Sequence, residues 1–268
     1  MRVKIHGAGS IGNHLANASR RLGWSVDLVD LDPAALERTR QSIYPSRYGA
    51  WDAAIALHRS ADAPRGGFDL ICIGTPPDVH LSLALAALEE RPRALLIEKP
   101  LCGPGLELCQ RLADEASAAG VAVFVGYDHA VGRAAGLALQ QAAAIGALTT
   151  LDVEFREFWG GIFAAHPWLA GPWDSYLGYW RRGGGASGEH SHAANLWQSF
   201  AHALGAGRVV QVQASLDLVE DGRVDYDRLC LMNLVTESGL QGRCVQDVVT
   251  DPPRKWARLQ GTEGFVEW

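Results

Sequence analysis

The six residues Gly7-Ala8-Gly9-Ser10-Ile11-Gly12 follow directly on a short apolar stretch, Val3-Lys4-Ile5-His6. A helical pattern of Leu15, Ala18, Ser19 and Leu22 comes next. Glycines at G-x-G-x-x-G spacing between a strand and a helix dictate a strand–turn–helix opening. The first glycine permits the tight turn, the second lets a pyrophosphate approach the backbone, and the third lets the helix pack against the strand. The start of that helix offers unpaired N–H groups and the positive end of its dipole to an anion. Residues 24–30 read as a second strand ending in Asp30, about twenty residues beyond the glycines, where a carboxylate accepts hydrogen bonds from both ribose hydroxyls. Its charge repels a 2′-phosphate, and Leu31-Asp32-Pro33 follows rather than an arginine, which favours NAD over NADP. Asp32 is the expected N-cap of the next helix, with Pro33 in its first turn. Gly7, Gly9, Ser10, Ile11, Gly12 and Asp30 are therefore the first candidate cofactor-binding residues.

The same strand–helix alternation continues. Residues 34–40 read as helix and 44–65 as a mixed, surface-covering segment. Residues 68–74 form a buried strand that ends in the rigid loop Thr75-Pro76-Pro77-Asp78-Val79-His80, followed by a helix to about residue 90. Leu95, Leu96 and Ile97 suit a strand covered on both faces. Such a strand delivers Glu98-Lys99-Pro100 to the carboxyl edge of the sheet, where open α/β folds bind their ligands. A helix over 105–119 and a strand over 121–125 complete a doubly wound parallel sheet.

Size and charge narrow the partners. A chain of 268 residues holds two modest domains, each with its own core. A net charge of −6, with no basic run, argues against nucleic acid. No segment approaches the length of a membrane span, and the amino terminus lacks a signal-peptide layout, so a cytoplasmic protein is expected. The five cysteines show no C-x-x-C pair and read as reduced structural thiols, with no metal site.

Taken in order, Gly7 to Gly12, Asp30, Thr75 to His80, Glu98-Lys99-Pro100 and the later Gly183-Gly184-Gly185 with His192 resemble the glucose–fructose oxidoreductase / inositol dehydrogenase (Gfo/Idh/MocA) family. The resemblance implies an NAD-binding Rossmann domain over 1–126. It also implies an α+β domain over 127–268, with an open, mainly antiparallel sheet that commonly makes subunit contacts. A homo-oligomer through that sheet is therefore expected. It puts Thr75, Pro76, His80 and Glu98 at the cofactor and brings Lys99 to the reacting hydroxyl, with a cis bond before Pro100. Members commonly run tens of residues further, so the final sheet is expected to be trimmed.

In the second half, Gly126-Tyr127-Asp128-His129 marks the passage between domains, and Asp128 is a candidate substrate contact. Residues 148–157 alternate like a strand. The long segment 158–182 is rich in aromatic residues; Trp168 and Trp173 are candidates to stack on a sugar ring, and Arg181 to hold an anionic group. The family follows its triple glycine with an aspartate, a histidine and a second aspartate. His192 stands at the histidine, Gly188 at the first aspartate and Asn195 at the second. Glu189, three residues before His192, would share its helical face and substitute for the missing aspartate, with His190 as competitor. Strands are expected over 209–218, 228–237, 240–249 and 255–260.

The expected chemistry is hydride transfer between NAD and a secondary alcohol of a sugar, sugar derivative or polyol. Lys99 stabilises the oxygen, His192 serves as base and Glu189 supports it. The alternatives are a sugar-modifying enzyme that retains its NAD without net redox, and a non-catalytic NAD-binding regulator.

Overall fold

The computed structural model describes residues Met1–Trp268, which divide into two compact units, Met1–Gly126 and Tyr127–Trp268. The first contains β1 (Arg2–His6), α1 (Ser10–Arg21), β2 (Ser25–Asp30), α2 (Pro33–Arg38), α3 (Tyr44–Tyr48) and β3 (Ile55–Arg59). It continues with β4 (Leu70–Ile73), α4 (His80–Leu88), β5 (Ala94–Ile97), α5 (Glu107–Ala119) and β6 (Ala122–Val125). All six strands are parallel, in the order β3-β2-β1-β4-β5-β6. The order reverses between β1 and β4, and a ligand crevice opens at the carboxyl ends of strands that diverge in this way.

Each face of this sheet has its own core. Ile71, Ile73, Leu95 and Ile97 pack with Leu81, Ala84 and Leu88 of α4 and Leu112 and Ala116 of α5. Val3, Ile5, Val26 and Leu28 pack with Ala16 of α1, Ala35 of α2 and Tyr44 of α3. Burial on both faces explains why these strands are continuous apolar runs. Strand β3 is the one the sequence does not announce. Its Ile-Ala-Leu-His-Arg pairs only with β2 at the sheet edge and is half exposed, so neither alternation nor a full apolar run marks it.

The second unit contains α6 (Asp128–Val131), α7 (Arg133–Ala142), β7 (Leu148–Arg156), α8 (Trp159–Ala164), α9 (Gly185–Glu189) and α10 (His192–Ala203). The strands β8 (Val209–Glu220), β9 (Asp225–Thr236), β10 (Gln241–Asp247), β11 (Arg254–Gly261) and β12 (Phe265–Glu267) follow. Its sheet runs β12-β11-β7-β10-β9-β8, antiparallel except for the β7–β10 pair. On β7, Leu151, Val153 and Phe155 alternate inward and meet Leu196, Trp197 and Phe200 of α10 and Ala135 and Ala138 of α7. The indole N–H of Trp197 donates to Leu151 O at 2.8 Å, satisfying the one polar atom of a fully buried ring. The long aromatic segment after β7 is not a structureless loop. It is broken into α8 and three single 3₁₀ turns, Pro172–Asp174, Tyr176–Gly178 and Trp180–Arg182. No helix in the chain is long and apolar enough to cross a membrane.

A buried carboxylate locks the end of the central β7–β10 pair. Asp247, with no exposed surface, accepts hydrogen bonds from Arg156 Nε at 2.5 Å, Thr250 N and Oγ1 at 2.9 Å and Val249 N at 3.1 Å. Burial by itself raises its pKa, but Arg156 and Thr250 outweigh that and hold the carboxyl below its ordinary value. A depressed folded-state pKa contributes stability above the unfolded carboxylate range, and that stability is lost as pH falls through the lower folded value. Asp247→Asn should therefore cost about 2–3 kcal/mol at pH 7 by leaving Arg156 without its buried partner. It should also flatten the fall of Tm below about pH 4, both read by thermal melts across pH.

Candidate functional site

The glycine turn after β1 is built by contact between backbones. A Cβ on Gly12 would lie 1.8 Å from Gly7 O, and one on Gly7 would lie 2.6 Å from Gly74 O at the end of β4. Both positions must be glycine for α1 to start where it does. Gly9 differs: nothing lies within 4 Å of the site a Cβ would take. Space is therefore left at the residue that begins α1 as its N-cap, and no acidic side chain stands in the first turn. Thr39 Oγ1 donates to Ala8 O at 2.6 Å and receives Asn13 Nδ2 at 3.1 Å, which fixes the turn from behind. Asp30 is held by two backbone N–H groups, Ala8 N to Oδ2 at 2.7 Å and Asp32 N to Oδ1 at 2.9 Å. Each oxygen keeps a lone pair for a ribose hydroxyl. The cradle, the free helix start and the fixed carboxylate fit a dinucleotide: Gly9, Ser10 and Ile11 at its phosphates, Asp30 at the adenosine ribose.

At the neighbouring strand ends, Glu98 N donates to Ile73 O at 2.9 Å, and the Lys99–Pro100 peptide is cis. His80, expected to touch the cofactor, is corrected by its burial. It has no exposed surface, with Nε2 2.7 Å from Thr75 O and Nδ1 3.0 Å from Pro100 O. Burial lowers its pKa against the opposing pull of the carbonyls of Thr75, Pro100 and Leu101. His80 ties the Thr75 turn to the Pro100 turn and so fixes the backbone beside Lys99. Thr75 Oγ1 is buried without a hydrogen-bond partner, a donor available to a bound molecule.

In the second unit, the helix that would have put Glu189 and His192 on one face is interrupted. Glu189 ends α9, and α10 begins at His192 with Ser191 as N-cap. Glu189 and His192 therefore belong to two different helices. A carboxylate beside His192 is that of Asp128, whose Oδ1 lies 3.6 Å from His192 Nδ1 and 3.1 Å from His129 Nδ1. The rings of His129 and His192 stack at 4.6 Å and 24°; Tyr127 meets His192 edge-on at 5.6 Å and Phe155 lies 6.2 Å away. Asn195, one turn along α10, carries a buried Oδ1 with no hydrogen-bond partner, and such a group calls for a polar ligand. The sequence gave His129 no role beyond the passage between domains, and Asp128 only a substrate role. Their one signal was their place directly after the last strand of the first sheet.

Asp128, His129 and His192 could each offer a ligand atom within 4.8 Å of the others. A metal needs lone pairs converging at about 2.1 Å. The two imidazoles are close to parallel, so their in-plane lone pairs run side by side rather than toward one point.

The triple glycine before α9 answers a packing demand. A Cβ on Gly185 would lie 2.0 Å from Asp227 Oδ1 and one on Gly184 would lie 2.2 Å from Tyr176 O. Asp227, buried and with a pKa raised by that burial, accepts from Ser187 N at 2.8 Å and Ser187 Oγ at 3.1 Å. It caps α9 from another strand. Two expected substrate residues are occupied otherwise. Arg181 pairs with Asp225 at 2.5 Å, and Trp173 carries Arg223 over its ring at 4.4 Å, so the contacts of both run to the β8–β9 turn. Trp168 is half-buried and packs edge-on against His166 at 5.3 Å.

With this geometry in place, comparison with known proteins is direct. Residues 1–127 match the model of an oxidoreductase family with an NAD-binding Rossmann fold, GFO_IDH_MocA. The fold and its cradle over residues 1–127 are those of an NAD-binding Rossmann domain. Over those residues the chain is similar to the NAD-binding domain of the Gfo/Idh/MocA family. Among solved structures, the chain is similar to the WlbA dehydrogenase from Chromobacterium violaceum in complex with NADH and UDP-GlcNAcA. Identity is 20%, the TM-score 0.78, and the match covers 100% of this chain and 73% of that one. It is also similar to the UDP-N-acetylglucosamine 3-dehydrogenase GnnA from Acidithiobacillus ferrooxidans, at 16% identity and TM-score 0.71, covering 100% and 73%. Biliverdin reductase from Synechocystis sp. PCC 6803, in complex with biliverdin and NADP⁺, matches at 17% and 0.74, covering 100% and 78%. No curated protein sequence matches the chain. At these identities the likeness is one of fold, and the fold serves more than one substrate chemistry.

The open space at Gly9 gives a test that separates folding from binding. Gly9 has φ −81°, which alanine adopts freely, so Gly9→Ala should leave Tm unchanged or slightly raised. NAD affinity should fall at least about tenfold because the methyl occupies the phosphate approach. Calorimetric titration with NAD beside a thermal melt reads both.

Proposed function

We propose that this protein transfers a hydride between NAD and a secondary alcohol of a sugar or sugar derivative. The observation that carries the reading is the first domain's carboxyl edge, where a nucleotide cradle after β1 and the Glu98-Lys99-Pro100 turn after β5 stand on strand ends with β4 between them. When bound, NAD supplies the hydride-accepting carbon. The Lys99 ammonium hydrogen-bonds the reacting oxygen and stabilises its developing charge, while the turn that bears it is fixed by the His80 contact to Pro100 O. His192 takes the hydroxyl proton, its unperturbed range lying near neutrality. Thr75 and Glu98 serve the cofactor side, and Asn195 offers its buried amide to a substrate hydroxyl.

The second domain, residues 127–268, is the proposed substrate domain. A sugar-like substrate is supported by the sugar-nucleotide dehydrogenases among its structural neighbours and by half-buried Trp168. Self-association through the second sheet belongs to the same reading and is supported by its edge strand, which exposes Val210, Val212, Leu216 and Leu218. A cytoplasmic setting suits the five free cysteines.

The test is a panel of free sugars, cyclitols and nucleotide sugars assayed for NADH formation at 340 nm. With the substrate so found, Lys99→Ala should lose about 10³-fold or more in kcat while its NAD affinity stays within about twofold of the parent. Full turnover by that variant, or silence across the panel, would remove the reading.

A further inference from the structure

The five cysteines divide by burial. Cys72, Cys230 and Cys244 are buried in the sheets, and that burial pushes all three thiols up, Cys72 to about 12 and Cys230 to about 11. Sulfurs so placed ionise reluctantly and are shielded from an oxidant. Cys102 and Cys109 are only half-buried, and their Sγ atoms lie 3.7 Å apart. The two sulfurs that touch are thus also the two that solvent reaches.

Their contact is made by the local course of the chain. β5 ends at Ile97, the cis Lys99–Pro100 turn follows, and Cys102 comes two residues after that proline. Cys109 stands in the first turn of α5, its N–H donating to Leu106 O at 3.0 Å. Both side chains pack against the core that α4 and α5 form on the sheet. The connection between them begins Gly103-Pro104-Gly105 and is exposed over residues 104–108, so packing does not hold it in place. A disulfide needs the sulfurs to close to about 2.05 Å, and this connection leaves room for that movement. Upstream, the Pro100 carbonyl is already held 3.0 Å from His80 Nδ1.

We propose that Cys102 and Cys109 form a redox modification site, oxidised to a disulfide by a peroxide and restored by a dithiol. Cys109 reacts first, because burial and the thiol beside it push the Cys102 thiol up to about 12. The Cys109 sulfur attacks one peroxide oxygen and the O–O bond breaks. Cys109 becomes a sulfenic acid, and the second oxygen leaves as water with the thiol proton. The Cys102 sulfur then displaces the sulfenic hydroxyl, which leaves as water with the Cys102 proton as the S–S bond forms. Two electrons pass from the two sulfurs to one peroxide. A dithiol returns them by thiol–disulfide exchange and itself becomes a disulfide. The new bond joins the segment after the Lys99–Pro100 turn to α5, so oxidation pins the Gly103–Leu106 stretch at both ends. Disulfides of a reducing compartment are of this reversible kind.

The test treats the full chain with one equivalent of hydrogen peroxide, then unfolds it in an alkylating agent and digests it with a glutamate-specific protease. Cleavage after Glu107 separates the two cysteines, so the fragments bearing Cys102 and Cys109 should stay joined and part only with dithiothreitol. Cys72, Cys230 and Cys244 should be recovered as alkylated thiols. Cys102→Ser should leave Cys109 as a sulfenic acid, captured by dimedone. Cys109→Ser should slow the oxidation of Cys102 at least about tenfold. In the oxidised parent, exchange of the Gly103, Gly105 and Leu106 amides should slow at least about tenfold. Fragments that part without reductant, or a bond from either cysteine to one of the buried three, overturn the proposal. Unchanged amide exchange in a chain shown to be joined overturns the pinning. Both of these readouts use the parent chain, so they decide the matter even where a serine variant fails to fold.

Discussion

The first domain depends on a place where two backbones come closer than any side chain allows. α1 starts against the turn after β1, with Gly12 against Gly7 O, and that turn in turn lies against the end of β4 at Gly74. Steric exclusion there is a matter of hard-core repulsion and cannot be bargained away by nearby contacts. It sets where the helix dipole points and where β1 and β4 part, so the anion-binding end of α1 and the crevice at the strand reversal coincide. Asp30 belongs to the same arrangement: its carboxylate is pinned by Ala8 N, inside the glycine turn. The cradle and the Asp30 carboxylate are therefore one rigid unit.

A second connection carries rigidity across the carboxyl edge. His80, wholly buried at the head of α4, touches Thr75 O and Pro100 O. Those two carbonyls belong to the loops after β4 and β5, so one imidazole spans both. Placing a polar ring there costs desolvation, which its lowered pKa records. What it gains is a fixed backbone in the turn that follows Lys99. Lys4 shows the same economy on β1, buried and bound to both oxygens of Glu90 at 2.7 Å with Phe68 beneath it.

The second domain solves a related problem with carboxylates. Asp227 caps α9 from β9 and fills the space that Gly185 leaves open, so the triple glycine is explained by an acid 40 residues downstream of Ser187. Asp247 closes the β7–β10 end with Arg156 and the backbone of Val249 and Thr250. Both are buried charges compensated by several donors, the condition under which such groups persist. Asp128 differs in being exposed: its charge is screened by water and acts only on the two imidazoles beside it.

Much of this was determined by sequence alone. The glycine spacing, Asp30, the apolar runs of β4 and β5 and the alternation of Leu151, Val153 and Phe155 are local patterns, and local sterics and side-chain periodicity decide them. The doubly wound sheet and most strand positions followed. β3 did not, because an edge strand is neither alternating nor fully apolar. Tertiary structure decided the rest. His80 became a buried clamp rather than a cofactor contact, Arg181 and Trp173 were bound to the β8–β9 turn, and Asp128 of α6 came to lie beside His192. Each outcome rests on where a helix stops or on which distant chain segment packs alongside. Spacing along a sequence measures neither, because the free energy that fixes them comes from contacts between residues tens of positions apart.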